Sequence, residues 1–249
     1  MRYVIVTGTS QGLGEAIAVQ LLEENTTVIS ISRRENKQLA KLAEQNDSNC
    51  IFHSIDLQDV HNLETHFNEV FSSIQKDNVS SIHLINNAGT LAPMKPIEKS
   101  ESEQFITNVH INLIAPMILT STFMKHTKDW KVEKRIINIS SGAGKNPYFG
   151  WGAYCTTKAG VNMFTQCVAT EEVEKEYPVK TVAFAPGVVD TNMQAQIRET
   201  NKEDFINLDR FTALKEEGKL LSPEYVAKAI RNLLETENFP QGEVIRIDE

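Results

Sequence analysis

The chain has 249 residues and 28.0 kDa, with 25 Lys and Arg against 33 Asp and Glu, a formal net charge of −8 at pH 7. A chain of this length buries roughly 70–75% of its unfolded surface, so it is expected to be one domain with a sizeable core. A pI near 5.4 with no basic stripe argues against nucleic acid and anionic membrane as partners.

Cys50, Cys155 and Cys167 are odd in number, far apart and without a Cys-x-x-Cys pair, the pattern of reduced thiols in a reducing compartment. No window approaches the ~18 consecutive apolar residues of a membrane span. Met1 to Gly8 breaks its apolar run early and has no small-residue cleavage site, so it reads as a strand and not a signal peptide; the expectation is a cytoplasmic protein.

In chain order, β-branched runs at Tyr3–Val6, Thr27–Ile31, Ile51–Ser54, Ser81–Asn86, Arg135–Ile139, Lys180–Ala185 and Glu243–Ile247 predict seven strands. Between them, Gly14–Glu24, Gln38–Glu44, Leu63–Lys76, Glu103–Lys125, Ala153–Glu176 and Pro223–Glu235 carry apolar residues at helical spacing. The alternation predicts an α/β fold: a single-domain, Rossmann-like, doubly wound parallel sheet over 1–249 with helices on both faces. Val188 to Leu221 is polar, irregular and placed after a strand end, as a substrate lid would be.

The first strand runs into Thr7-Gly8-Thr9-Ser10-Gln11-Gly12-Leu13-Gly14 and then a helix. Glycines there allow a sharp turn and close approach of a pyrophosphate, and the helix N-terminus offers free N–H groups. A plain glycine-rich turn gives the same text, but its place between strand and helix favours nucleotide binding through Gly8, Ser10, Gly12, Leu13 and Gly14. The second strand ends in Arg33-Arg34 with no acid, which favours NADP(H) over NAD(H); the bland reading is a solvated strand end. Asp56, just past the third strand, suits an adenine edge, with an ordinary turn aspartate close behind as a reading.

Tyr154 and Lys158 lie four apart on a helix, so both side chains emerge on one face, where an ammonium would favour the phenolate and tune Tyr154 for proton exchange. Ser140-Ser141 ends the fifth strand and Asn86-Asn87-Ala88-Gly89 the fourth, at the carboxyl edge where open α/β sheets bind ligands. Pro116 cannot donate to the carbonyl of Asn112, so the long helix should kink there and leave that carbonyl to a water linked to Lys158. His61 and His66 are spaced wrongly for a shared helical face, Glu171–Glu176 reads as a solvated helix end, and Cys155 as packing. Tyr148, Phe149, Trp151, Leu91, Met94 and Met193 could line an aromatic pocket, or serve as core or dimer contacts. No metal site is expected.

Taken together, Thr7-Gly8-x3-Gly12-x-Gly14, Asn86-Asn87-Ala88-Gly89, Asn112, Ser141, Tyr154-x3-Lys158 and Pro186-Gly187-x3-Thr191 resemble the short-chain dehydrogenase/reductase family over the whole chain. Tyr154–Gly160 and Ala185–Gln194 are similar to its sepiapterin reductase branch. The resemblance implies Tyr154 as acid/base, Lys158 on the nicotinamide ribose, Ser141 orienting the carbonyl, and Asn112 supporting a water relay. It further implies cofactor contacts at Asn87, Ala88, Gly89, Val189 and Thr191, and a homodimer through the Glu103–Lys125 and Ala153–Glu176 helices. The implied reaction is NADPH-dependent reduction of one carbonyl of an aromatic 1,2-diketone to an (S)-α-hydroxy ketone. A pterin or other small-carbonyl reductase and a non-catalytic NADP(H)-binding sensor stay open. Two departures stand out: Gln11 occupies a site where many NADP-using members carry Lys or Arg, and Val244–Asp248 does not clearly supply the branch's acidic pterin anchor.

Overall fold

A computed structural model describes residues 1–247. Seven strands, β1 (Arg2–Thr7), β2 (Thr26–Ser32), β3 (Asn49–Ser54), β4 (Ser81–Asn86), β5 (Glu133–Ile139), β6 (Val179–Ala185) and β7 (Val244–Arg246), form one sheet in the order β3-β2-β1-β4-β5-β6-β7. Every neighbouring pair is parallel. The strand order reverses between β1 and β4, so the connections leave in opposite directions and open a crevice at the carboxyl ends of those two strands.

The helices follow from the period-two alternation of the strands. Val4 and Val6 face one layer, built from α1 (Gly12–Gln20), α2 (Lys37–Gln45) and α9 (Pro223–Glu235); Ala16, Ile17, Leu39, Val226 and Ile230 fill it. Tyr3 and Ile5 face the other, where α3 (Leu63–Ser72) brings Phe67 and Phe71. Strands buried on both faces are what a sheet covered on both sides requires. α9 starts where the sequence signals it, with Pro223 after Ser222, whose hydroxyl accepts from the Tyr225 N–H at 3.1 Å.

The expected Glu103–Lys125 helix is interrupted. It runs as α4 (Ser102–Val109), a π-helical turn over His110–Ile114, and α5 (Ala115–Thr127). Pro116 offers no N–H to the carbonyl four residues back, and the widened turn absorbs that loss. By length and composition Ser102–Thr127 is long and apolar enough to cross a membrane, yet Ala115, Leu119 and Phe123 pack it onto the sheet. α1 stops at Gln20 and α3 at Ser72, several residues before their apolar patterns fade.

α6 (Gly152–Glu172) ends earlier than Glu176, and its last residue corrects the reading of Glu171–Glu176 as a solvated end. Glu172 is buried; its carboxylate accepts from the Val179 N–H at 2.8 Å and pairs with Lys175 at 2.5 Å, tying the helix end to the start of β6. Between β6 and α9, Val188–Leu221 folds into α7 (Asn192–Arg198) and α8 (Leu208–Glu216). Its base is closed by Asp190 N–H to Leu221 C=O at 2.9 Å and Leu221 N–H to Val188 C=O at 3.0 Å.

Candidate active site

A cleft of about 630 Å³ opens over the carboxyl ends of the strands. Its floor at one end is the turn after β1. Gly8 has φ +75°, and a Cβ there would lie 2.9 Å from the Ala88 Cα, so the two strand ends close on each other only because no side chain intervenes. Thr7 locks this closure: its hydroxyl accepts from the Asn87 and Ala88 N–H groups, each at 3.0 Å, and its carbonyl from Asn87 Nδ2 at 2.9 Å.

At the first turn of α1, the N-cap residue Gln11 makes no side-chain cap bond. The Gln11 amide oxygen instead accepts from Asn192 Nδ2 of α7 at 3.0 Å. The helix N–H groups therefore face the cleft without a side-chain partner, the chemistry an anionic pyrophosphate requires. Gly8, Ser10, Gly12, Leu13 and Gly14 all line this end, with Arg33 and Arg34 exposed at the end of β2. Asp56 also lines it, but its Oδ1 accepts from the Gln58 N–H at 3.0 Å, so half the carboxylate is spent on its own turn. The residues present thus fit a dinucleotide: open N–H donors, a glycine cradle that a Cβ would fill, and two guanidiniums at the ribose end.

The reacting end lies where β5 meets α6. Ser140 and Ser141, indistinguishable by residue type, both line the cleft but part ways here: the Ser140 hydroxyl donates to Asn162 Oδ1 at 2.5 Å, while the Ser141 hydroxyl pairs with Tyr154. The Ser141 hydroxyl accepts from the Ala143 N–H at 3.2 Å, which fixes its orientation. Lys158 sits one turn below Tyr154, with Nζ 5.7 Å from the phenol ring centre and donating to the Ile139 carbonyl at 2.7 Å.

The electrostatics differ from the expected one-way pull of Lys158 on Tyr154. Burial pushes the Tyr154 phenol up to about 12, only partly opposed by the hydrogen bond with Ser141. The same loss of water pushes Lys158 down to about 8. Both groups have been taken out of water, and desolvation disfavours each charged form. Tyr154 is thus held as a neutral phenol, a proton donor.

Asn112 is placed by the π turn against the β4 end. Its Oδ1 accepts from the Thr90 N–H at 2.8 Å, and its Nδ2 donates to the Thr90 carbonyl at 2.7 Å and to Asn108 Oδ1 at 3.0 Å. The side chain is fully used in holding the Gly89–Thr90 loop, which leaves only its backbone carbonyl for a relay role. Gly89, Val189 and Thr191 line the cleft as well.

Of the aromatic candidates, Tyr148 and Trp151 line the cleft with Leu91 and Met193. Phe149 turns to solvent and Met94 packs behind the wall, so neither forms it. Sequence reading missed two residues in the polar stretch 188–221: Phe205, stacked on Trp151 at 4.7 Å and 4°, and Phe211, 5.3 Å from the same ring. Their signal was present, since they are the only aromatics in that stretch. Trp151 in turn meets the Tyr154 ring edge-on at 5.8 Å, so the 188–221 segment is seated through aromatic contacts on the reacting residue itself. Asp248 lies outside the described residues.

A family model for short chain dehydrogenase matches residues 2–202. The chain is 90% identical to benzil reductase ((S)-benzoin forming) of Bacillus cereus over all of both chains, and 42% identical to benzil reductase ((S)-benzoin forming) of Bacillus subtilis (strain 168) over 96% of each. Among solved structures it is similar to ElxO with NADP bound, at a TM-score of 0.80 and 25% identity, over 99% of this chain and 96% of that one.

Proposed function

The chain belongs to the short-chain dehydrogenase family, and from that premise we propose that it reduces one carbonyl of a 1,2-diketone such as benzil to the (S)-α-hydroxy ketone, using NADPH. The observation that carries the reading is the buried, neutral Tyr154 phenol beside Ser141 in a cleft walled by Tyr148, Trp151 and Phe211. High identity to an enzyme named for this reaction supports the substrate class.

The residues divide the work. Gly8, Ser10, Gly12, Leu13 and Gly14 would hold the pyrophosphate, Arg33 and Arg34 the 2′-phosphate, and Asn87, Ala88, Gly89, Val189 and Thr191 the nicotinamide half. A bound reduced nicotinamide supplies hydride to the carbonyl carbon. Ser141 and Tyr154 hold the carbonyl oxygen, and Tyr154, protonated at neutral pH, delivers its proton as negative charge grows there. Lys158 uses one N–H on Ile139, which leaves its others to hold a nicotinamide ribose and to act on the phenol. Its ammonium stabilises the phenolate left by proton transfer, and reprotonation runs through Lys158 and a water on the Asn112 carbonyl. The buried aromatic walls exclude bulk water and accept aryl rings.

Exposed Ile106 and Met117 on α4 and α5 and Met163 on α6 support a homodimer through these helices, and the unpaired thiols support a cytoplasmic location. The test is benzil with NADPH and the purified protein, with the product resolved on a chiral column. Consumption of NADPH with formation of (S)-benzoin is expected; no consumption, or racemic product, overturns the reading.

A further inference from the structure

The charge on the cleft walls runs opposite to the charge of the chain. The protein carries −8 overall, yet the charged residues lining the cleft are Arg33, Arg34, Lys158, Arg210 and Arg246 against a single acid, Asp56. Arg33, Arg34 and Asp56 belong to the nucleotide end and Lys158 to the reacting pair. Two guanidiniums remain with no role in the chemistry described, and both stand at the substrate end.

Their positions are specific. Arg246, the last residue of β7, has its Nη2 3.8 Å from where a Cβ on Gly142 would project. Gly142 follows Ser141 in the chain, so the guanidinium reaches the segment that carries the hydroxyl holding the carbonyl, and both residues line the same cleft. Arg210 comes from α8, its guanidinium 5.9 Å above the ring of Phe211, a wall residue. Among the described residues no carboxylate lines this half of the cleft. A neutral diketone needs neither cation, whereas a planar guanidinium matches a carboxylate in a bidentate fork.

Resting on the reading of the cleft as a carbonyl-reducing site, we infer that the preferred substrate is an anionic 1,2-dicarbonyl compound, an apolar or aryl body bearing a carboxylate that Arg246 and Arg210 engage while Ser141 and Tyr154 hold the reacting carbonyl. Field lines from the positive cleft in a negative protein also favour entry of such an anion.

The test compares 4-carboxybenzil with its methyl ester, which shares the skeleton and lacks the charge. Binding to the NADP⁺-loaded enzyme is read by quenching of tryptophan fluorescence, since Trp151 lines the cleft, and turnover by NADPH consumption. The wild type is expected to favour the acid by about fivefold or more in Kd and in kcat/KM, with the preference shrinking as salt rises. Arg246→Gln and Arg210→Gln should each bring the acid-to-ester ratio toward one, and Arg246→Lys should restore part of it. The ratio is taken on one enzyme sample, so a partly unfolded variant cancels. Equal binding of acid and ester by the wild type, or a ratio unmoved in both Gln variants, overturns the inference. Because binding is measured without turnover, failure of benzil reduction and failure of anion selection are read separately.

Discussion

Lys158 Nζ donates to the carbonyl oxygen of Ile139 at 2.7 Å, and among the described residues no carboxylate lies near enough to offset its charge. Burial lowers its pKa to about 8, so between there and the ordinary lysine value the unfolded chain holds a proton that the folded one has released. Stability from this group therefore rises with pH across that window, and at pH 7 the buried ammonium costs about 3 kcal/mol. Lys158→Met is expected to abolish carbonyl reduction while stabilising the fold by about 1–3 kcal/mol, seen as a higher Tm at pH 7. A lower Tm contradicts this.

The same two groups set the pH profile of kcat/KM. Tyr154 stays protonated to about 12, whereas Lys158 loses its proton above about 8. Reduction should be level near neutrality and decline above about pH 8, with the decline belonging to the ammonium. In Lys158→Arg, whose guanidinium stays charged, any residual activity should lose that alkaline limb. A wild-type profile rising through pH 8–10 contradicts the assignment.

The fold was largely legible because a parallel sheet buried on both faces writes its strands as apolar runs, and all seven were found within one to two residues at their starts. The π turn at His110–Ile114 was less legible: Pro116 announces a lost hydrogen bond, but whether the helix kinks or widens depends on packing around Asn112. Tyr154, Lys158 and Ser141 converge in one cleft, as local spacing and strand ends imply. The upward push on Tyr154 was hidden because it arises from burial, and the cluster that buries it includes Phe205 and Phe211, more than fifty positions downstream.

Arg33 tests cofactor choice. Arg33→Ala should raise KM for NADPH by about tenfold or more and leave KM for NADH nearly unchanged, since a charge-assisted contact to a phosphate is worth roughly 1.5–3 kcal/mol. An unchanged ratio between the two cofactors removes the 2′-phosphate role.

Phe205 seats the 188–221 segment on Trp151, is fully buried, and touches no group assigned to chemistry. Phe205→Ala should cost about 3–5 kcal/mol in urea unfolding and raise KM for benzil more than KM for NADPH. Equal effects on both constants would mean the segment does not shape the substrate half.

His83 predicts acid lability. It is buried with Arg2 and Arg135 acting on it, and desolvation, helped by those cations, lowers its pKa to about 3 even with a Glu133 carboxylate oxygen 4.0 Å from its Nε2. Between about pH 6.5 and 3 the unfolded chain binds a proton the folded one refuses, so stability falls as pH falls through that range. His83→Leu should flatten the dependence of Tm on pH from 6.5 to 4; an unaltered slope assigns it to other groups.

The most direct measurement is turnover by Tyr154→Phe with benzil and NADPH, alongside NADPH binding by fluorescence. If Tyr154 donates the proton, kcat falls by about 10²–10⁴-fold while the cofactor still binds as in the wild type. Turnover within a few-fold of wild type would show that the proton comes from elsewhere and contradict the account at its centre.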